Sequence, residues 1–403
     1  MPVSPLIVNL WGHLGGGFGL GEGALCTARA LKAAGLTVQL RNLPLATHSN
    51  AASADSAEAQ DPGSGQAPAA IDLLHTNPNV LRQSDGLTTK LKLEAPLRIG
   101  YWAWELEAFP DGWETGFRGL DQLWCPSPFC AHALGQRSPV PVTALPHLID
   151  WQRAANLRQL RSKQRQGPYA QKGQPFTVLF AFDFWSTRGR KNPDGVIDAF
   201  LAAFPSRGSD IEARLILKLA SAEQFPEAAA ELADRCAGDS RLELITSHLS
   251  ASDFDALYAT ADVLLSLHRA EGFGLLMAEA MAAGIPVVAS GYGGNLCFMP
   301  PGSAELVPYQ TVAIRRTEGD YRAGWCWAEP DVDRAAAALR RLASDHSKAQ
   351  QLAAAGRQAV EQALHPHALA AIVAERIGCL LRWGGRAELL AALPEEHPLR
   401  RLQ

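Results

Sequence analysis

The sequence predicts an α/β protein made of two parallel-sheet domains. The chain has 403 residues, about twice the usual size of one domain. Strand-like apolar runs alternate with helical patterns in two successive series, which is how parallel sheets with covering helices read in a sequence. Between the series, from Trp151 to Pro175, the chain turns polar and basic, with Arg153, Arg158, Arg161, Lys163 and Arg165. This stretch ends in glycine and proline and reads as a linker.

The first series opens with a strand at Leu6 to Leu10, a glycine-rich turn, a helix through Leu25 to Ala34 and a strand at Thr37 to Leu40. Residues 51–70 are almost all Ala, Ser, Gly, Asp, Gln and Pro. Such a stretch buries too little apolar surface to offset its ordering entropy, and is expected to form a mobile loop. Ordered segments resume at Ile71 to His75, Leu97 to Trp102, Gln122 to Pro126 and Val140 to His147. The second series begins at Phe176 and continues through Leu215 to Leu219, Leu242 to Ile245, Val263 to Leu267 and Val287 to Ala289. An amphipathic helix from about His367 to Trp383 is the natural element to cross back onto the first domain. The expected limits are 1–165 for the first domain, 166–380 for the second, and 381–403 for a tail packing back toward the first.

Composition narrows the function. A net charge of -4 gives no bulk attraction to nucleic acid. Seven scattered cysteines, an odd number, do not form a disulfide framework and suit a reducing cytoplasm. Cys125 and Cys130 lack the further ligands that a zinc site needs, so no metal is expected. No basic leader followed by an apolar stretch opens the chain, and no run of 18 apolar residues occurs in it.

The chemistry concentrates between Ala261 and Ser290. A buried strand ends near His268, a glycine-containing turn follows, and a helix runs from about Gly274 until Gly284 and Pro286 stop it before another strand. Gly272 and Gly274 let the backbone approach a ligand closely, at a place where helix N-terminal N–H groups lack partners. Such a turn suits an anion. Glu271 and Glu279 flank it. They would repel a bare phosphate, but they can accept hydrogen bonds from hydroxyls, so the combination suits a nucleotide sugar. Two unrelated solvated glutamates are the plain alternative for an E-x7-E spacing on its own.

These residues, Glu271-Gly-Phe-Gly-Leu-Leu-Met-Ala-Glu279 followed by Ala280-Met-Ala-Ala-Gly-Ile-Pro-Val-Val-Ala289, resemble the signature of family 4 of the retaining glycosyltransferases. The resemblance implies the GT-B fold of two facing Rossmann-like domains, with the donor on the second and the acceptor on the first. It assigns Glu271 to the donor sugar and Glu279 to the ribose hydroxyls. The backbone around Phe273, Gly274 and Leu275 would hold sugar and diphosphate. It also implies hexosyl transfer with retention, in polysaccharide or lipopolysaccharide assembly, from a nucleoside-diphosphate sugar to a saccharide or lipid-linked acceptor. No cofactor is called for, because the nucleotide sugar is a co-substrate.

Further segments extend the resemblance. Asp183-Phe-Trp-Ser-Thr-Arg-Gly-Arg-Lys191 stands where the family places an arginine and a lysine on the diphosphate. Lys191 matches the lysine. Trp185 and Ser186 stand where the arginine belongs, leaving Arg188 and Arg190 as the candidates beside it. Gly15 to Glu22, with Gly17 and Gly19, resembles the first-domain loop that faces the diphosphate. The same turn also fits the dinucleotide pattern at Gly19-Leu-Gly-Glu-Gly-Ala24, but Arg41 and Asn42 stand where a dehydrogenase needs an acid. On the acceptor side, Trp102-Ala-Trp-Glu105 supplies aromatic faces and a carboxylate, and His75 ends a strand. For both segments a core role is the alternative. Asn295, after Gly291-Tyr-Gly-Gly294, would bring an amide near the donor sugar. The basic linker offers a weak, salt-screened contact with an anionic membrane face, with a solvated connector as the alternative. Two other activities fit the same motifs: a catalytically silent sugar-nucleotide-binding protein, and a nucleotide-sugar epimerase.

Overall fold

A computed structural model describes residues 6–15, 19–43, 68–83, 93–165, 174–206, 210–385, 387–391, 393, 395, 397 and 399–400. The chain divides into two compact units, Met1–Ile149 with Leu364–Gln403, and Asp150–Ala363. Gly17 and all of the expected loop except residues 68–70 lie outside the described residues.

The first unit holds a six-stranded parallel sheet of β1 (Ile7–Gly12), β2 (Thr37–Asn42), β3 (Ile71–His75), β4 (Leu97–Tyr101), β5 (Gln122–Cys125) and β6 (Val142–Ala144), in the order β2-β1-β3-β4-β5-β6. The helices α1 (Gly19–Ala33), α2 (Pro78–Gln83) and α3 (Pro128–Gly135) connect its strands. The central strands are buried along nearly their whole length, as strands covered on both faces are: Val8, Leu10, Leu73, Ile99 and Leu123 are fully buried, and the buried polar pair Asn9 and Asp72 is hydrogen-bonded at 2.9 Å.

In the second unit, α4 (Trp151–Arg165) precedes β7 (Phe176–Asp183), α5 (Pro193–Ala203), β8 (Ala213–Ala220), α6 (Pro226–Cys236), β9 (Leu242–Ile245), α7 (Ala251–Thr260), β10 (Val263–Ser266), α8 (Leu275–Ala282), β11 (Val287–Ser290) and β12 (Glu305–Val307). The sheet is again parallel, in the order β12-β11-β10-β7-β8-β9. An antiparallel hairpin, β13 (Tyr309–Ala313) and β14 (Cys326–Pro330), follows, then α9 (Val332–Ser344) and α10 (His346–Ala363). The last long helix, α11 (Pro366–Trp383), belongs to the first unit and packs against α1. Beyond it Leu399 is buried and His397 Nε2 lies 3.0 Å from the Gly35 carbonyl. Although the span His346–Trp383 is long and apolar enough to cross a membrane, it is two helices, and Leu369, Val373, Ile377 and Leu381 are buried in the protein.

The basic segment read as a linker is the helix α4, and it belongs to the second unit. The side chain of Asp150 accepts from Arg153 N at 2.9 Å, satisfying one amide of the first turn. Ala154, Leu157 and Arg161 form a buried stripe at helical spacing. Arginine takes the place of an apolar residue here because it has carbonyls to reach. Arg158 donates to the Ala282 carbonyl at 2.6 Å, and Arg161 to those of Ala259 (3.3 Å) and Ala261 (2.5 Å). These carbonyls close α8 and α7, where helix ends leave acceptors unpaired and favour positive charge. The second unit therefore starts earlier than residue 166 and ends earlier than 380.

Substituting Arg161 by leucine is expected to destabilise the second unit by roughly 1–3 kcal/mol, because buried carbonyls lose their donor. Urea denaturation of the wild type and the variant measures this. A change below about 0.5 kcal/mol, the range of ordinary surface substitutions, would show that α4 does not clamp α7.

Candidate active site

In the second sheet the chain builds from β7 to β8 and β9, then returns to the other side of β7 to lay down β10, β11 and β12. Strand order reverses between β7 and β10, and the crevice beyond the carboxyl ends of such neighbours is where open α/β sheets bind ligands. The loops leaving these two strands are 184–192 and 267–274. They carry the basic turn and the Glu271 turn.

Side-chain and main-chain contacts join the loops. Lys191 Nζ donates to Glu271 Oε2 at 2.6 Å. Arg190 Nη1 lies 3.7 Å from the same oxygen and donates to the Ala270 carbonyl at 3.1 Å. Asn192 Nδ2 donates to the Leu267 carbonyl at 2.9 Å, while its Oδ1 accepts from Gly195 N at 3.1 Å and so caps α5. Arg269 N donates to the Arg190 carbonyl at 2.7 Å. The Glu271 side chain is only 12% exposed. Burial by itself pushes its carboxyl up, but the charges of Lys191 and Arg190, together with His268 and the Lys191 hydrogen bond, outweigh burial and hold it well below the usual carboxylate range.

The hairpin braces this arrangement from outside the sheet. Arg269 pairs with Glu329 through Nε (2.7 Å) and Nη2 (2.9 Å), donates to the Gly189 carbonyl at 2.8 Å, and lies over the Trp327 ring. Glu318 accepts from Gly189 N at 3.1 Å. Behind Glu271, Gly294 N donates to the Glu271 carbonyl at 2.7 Å. Gly293 has φ +102, and a Cβ there would stand 2.5 Å from that carbonyl oxygen. Gly274, with φ +92, precedes α8, and a Cβ on it would meet Met277 at 2.3 Å. Both positions favour glycine for conformation, and Gly293 requires it for space as well, because the atom against it is main chain.

Phe273 is buried against Phe298, so only its backbone can serve a ligand. Asn295 is fully buried. Its Nδ2 donates to the Ser290 carbonyl at 3.2 Å, and its Oδ1 has no hydrogen-bond partner. Thr187, at φ 60, also holds a buried hydroxyl without a partner. Among the described residues of the second unit these are the two buried side-chain polar atoms left without a partner, and both adjoin the joined loops. Leu275 begins α8. Glu279, one turn further on, is 7% exposed, and its Oε1 accepts from Arg153 Nη1 at 2.8 Å. Arg188 is not brought to Glu271. It pairs instead with Asp194 through Nε (3.1 Å) and Nη2 (3.0 Å), and with Glu231. Nearby, an apolar pocket of about 550 Å³ lies against Gly291, Leu296, Met299, Pro300 and Tyr309. No charged side chain lines it, so it offers nothing to a diphosphate.

In the first unit, strand order reverses between β1 and β3, and the residues there are histidines. His75 ends β3, buried, with Nδ1 3.1 Å from Thr27 Oγ1 and its ring stacked on Tyr101 at 4.1 Å. His147 stacks on Tyr101 at 5.6 Å and on His75 at 6.0 Å. His13, just past β1, reaches the Leu43 carbonyl (2.8 Å) and Thr76 Oγ1 (3.0 Å). A Cβ on Gly23 would come within 3.0 Å of both His75 and His147, so α1 is pressed onto this cluster. Gly19 opens α1 with no neighbour within 4 Å of a Cβ. Glu105 is half-buried. The aromatics around it are core: Trp102, Trp104, Trp113 and Phe117 are all buried, with ring contacts between 4.7 and 5.8 Å.

The family model described as family 4 glycosyltransferases in conflict systems matches residues 152–372, more than half of the chain. The chain belongs to this family. No curated protein sequence matches it. Among solved structures it is similar to Anabaena HepE in complex with UDP and glucose, with TM-score 0.63, 15% identity, 93% of this chain and 99% of that one covered. Sucrose-phosphate synthase from Thermosynechococcus elongatus gives TM-score 0.63, 17% identity and coverages of 94% and 99%. WaaG, a glycosyltransferase involved in lipopolysaccharide biosynthesis, gives 0.55, 16%, 91% and 99%. At these identities the likeness establishes the fold, GT-B.

In this glycosyltransferase, sequence reasoning passed over Arg153, Asn192, His268 and Arg269. For Arg153 a signal was present: Asp150 as a helix cap, followed by Ala154 and Leu157 at helical spacing. His268, fully buried between Ser266 Oγ (3.0 Å) and the Tyr292 carbonyl (2.9 Å), ties the end of β10 to the Gly291 loop.

Burial, then the charges of His147 and His13, hold the His75 imidazole well below its ordinary 6.5. The unfolded chain takes up a proton near that value while the folded glycosyltransferase does not. The stability from this difference is complete above about pH 6.5 and is lost as pH falls from there toward the folded pKa. Urea denaturation between pH 7.5 and 5.5 should show this loss, and His75→Gln should reduce it by up to about 1.4 kcal/mol per pH unit below 6.5. Equal pH dependence in the two proteins would rule out a neutral buried His75.

Proposed function

We propose that this chain transfers a hexose from a nucleoside-diphosphate sugar to a saccharide or lipid-linked acceptor, with retention of anomeric configuration and without a metal ion. The observation that carries the reading is the junction of Lys191, Arg190 and Glu271 at the switch point of the second sheet. A leaving diphosphate develops negative charge, and preorganised positive charge in a partly dry site stabilises it most in the transition state. Lys191, with its side chain 21% exposed, can face solvent and ligand, whereas Arg190 contributes its charge from within the protein. Arg190, rather than Arg188, is therefore the diphosphate arginine on this reading.

Glu271 is assigned to the donor sugar and Glu279 to the ribose, with the amides around Phe273, Gly274 and Leu275 on the diphosphate. The resembled family uses the leaving diphosphate itself to assist the acceptor on the same face, so no protein nucleophile is assigned. HepE is seen with UDP-glucose, which makes UDP-sugars the first donors to try. The acceptor is assigned to the first unit, whose switch point is lined by His75 and His13. We place the reaction in the cytoplasm, in glycan assembly; seven scattered cysteines, an odd number, suit a reducing compartment. The basic stretch is not assigned to a membrane, because Arg153, Arg158 and Arg161 are engaged within the second unit.

Calorimetry with free nucleoside diphosphate and with intact donor tests the division of roles. Glu279→Ala should weaken both ligands by roughly 1.5–3 kcal/mol, the worth of a charged hydrogen bond. Glu271→Ala should leave the free nucleotide almost unchanged while impairing donor binding and transfer. Loss of nucleotide affinity in both variants alike would refute the assignment, and donor converted without acceptor would indicate an epimerase. Transfer is also expected to survive exhaustive treatment with EDTA. Activity lost on chelation and restored by magnesium or manganese would remove the metal-free mechanism.

A further inference from the structure

We propose that Arg153 is a positioning residue for the donor ribose, acting through Glu279; this rests on the assignment of Glu279 to the ribose made above. Arg153 stands in the first turn of α4, and its own amide is held by Asp150 at 2.9 Å, so the base of the side chain is fixed. Its guanidinium grips two carboxylates of the second unit. Nε and Nη2 lie 2.9 and 2.7 Å from Oδ1 of Asp255, and Nη1 donates to Oε1 of Glu279 at 2.8 Å. The other two α4 arginines that reach neighbouring helices, Arg158 and Arg161, end on main-chain carbonyls. Those two contacts hold helices together, while the contact of Arg153 orients a side chain.

A guanidinium is planar, so anchoring one edge on Asp255 fixes the direction of the remaining N–H groups. The carboxylate of Glu279 is thereby locked in one orientation. An ionised carboxylate offers about four lone-pair positions, so a bond from Nη1 leaves capacity for ribose hydroxyls. The same bond provides the opposite charge that a nearly buried carboxylate requires. A lysine at 153 would keep the charge but could not hold Asp255 and Glu279 with one rigid fork.

The test uses the full chain and whichever of UDP, GDP and ADP binds most tightly, together with the 2′-deoxy form of the same nucleotide. Calorimetry gives the affinity ratio of the two, which a merely structural role does not move, because loss of folded protein affects both ligands equally. In the wild type the ribonucleotide should bind about tenfold or more tightly than its 2′-deoxy form. Arg153→Met should bring the ratio to within about twofold, matching Glu279→Gln, and Arg153→Lys should fall between. Should Arg153→Met not fold, the ratio in Arg153→Lys decides. A ratio lost in Glu279→Gln but intact in the Arg153 variants overturns the role of Arg153 alone. A ratio near one in the wild type, or one that Glu279→Gln leaves intact, overturns the ribose assignment and this proposal with it.

Discussion

The contact of Lys191 with Glu271 holds the second unit's site together, because it joins loops from two strands that are neighbours in the sheet but far apart in the chain. A carboxylate as buried as Glu271 is costly without a cation, and a lysine facing no anion would turn back to water. Each side chain gives the other a reason to stay. Asn192 and Arg190 add main-chain bonds on one side of the junction, and Arg269 with the β13–β14 hairpin adds them on the other. The result is charge fixed in place before a ligand arrives, which is the condition under which electrostatics contributes to catalysis.

The backbone around this junction is as constrained as the side chains. Gly293 admits no side chain because the Glu271 carbonyl lies against it, and Gly274 turns the chain into α8 through a left-handed conformation. These constraints explain why the segment was legible. Turn glycines, a helix stop and a following strand are local devices that act within a few residues, and Glu271 through Ala289 contains all of them. The parallel architecture was legible for a similar reason, since buried strands such as β7 and β10 are continuous apolar runs.

What the sequence did not disclose depends on distant partners. The helix α4 looked like a linker because its buried stripe includes Arg161, whose acceptors are carbonyls roughly a hundred positions away. The hairpin β13–β14 carried no signal because β13 is largely exposed and does not alternate. Nothing in the spacing of Arg188 and Arg190 distinguishes them. Asp194 and Glu231 take one, and the end of the Glu271 loop takes the other. The aromatic run Trp102 to Trp104 left two uses open, and mutual ring packing with Trp113 and Phe117 decides for the core.

The second unit is continuous in the chain, whereas the first is interrupted and receives α11 only after residue 363. The second unit is in effect an insertion into the first. During synthesis the ribosome releases every residue of the second sheet before α11 can reach α1, its partner more than three hundred positions earlier. Domains that emerge complete tend to fold as units, so the unit that begins later in the chain is the one able to finish first. Until then the face of α1 that α11 covers stays open, which makes the late C-terminal segment the step that seals the molecule.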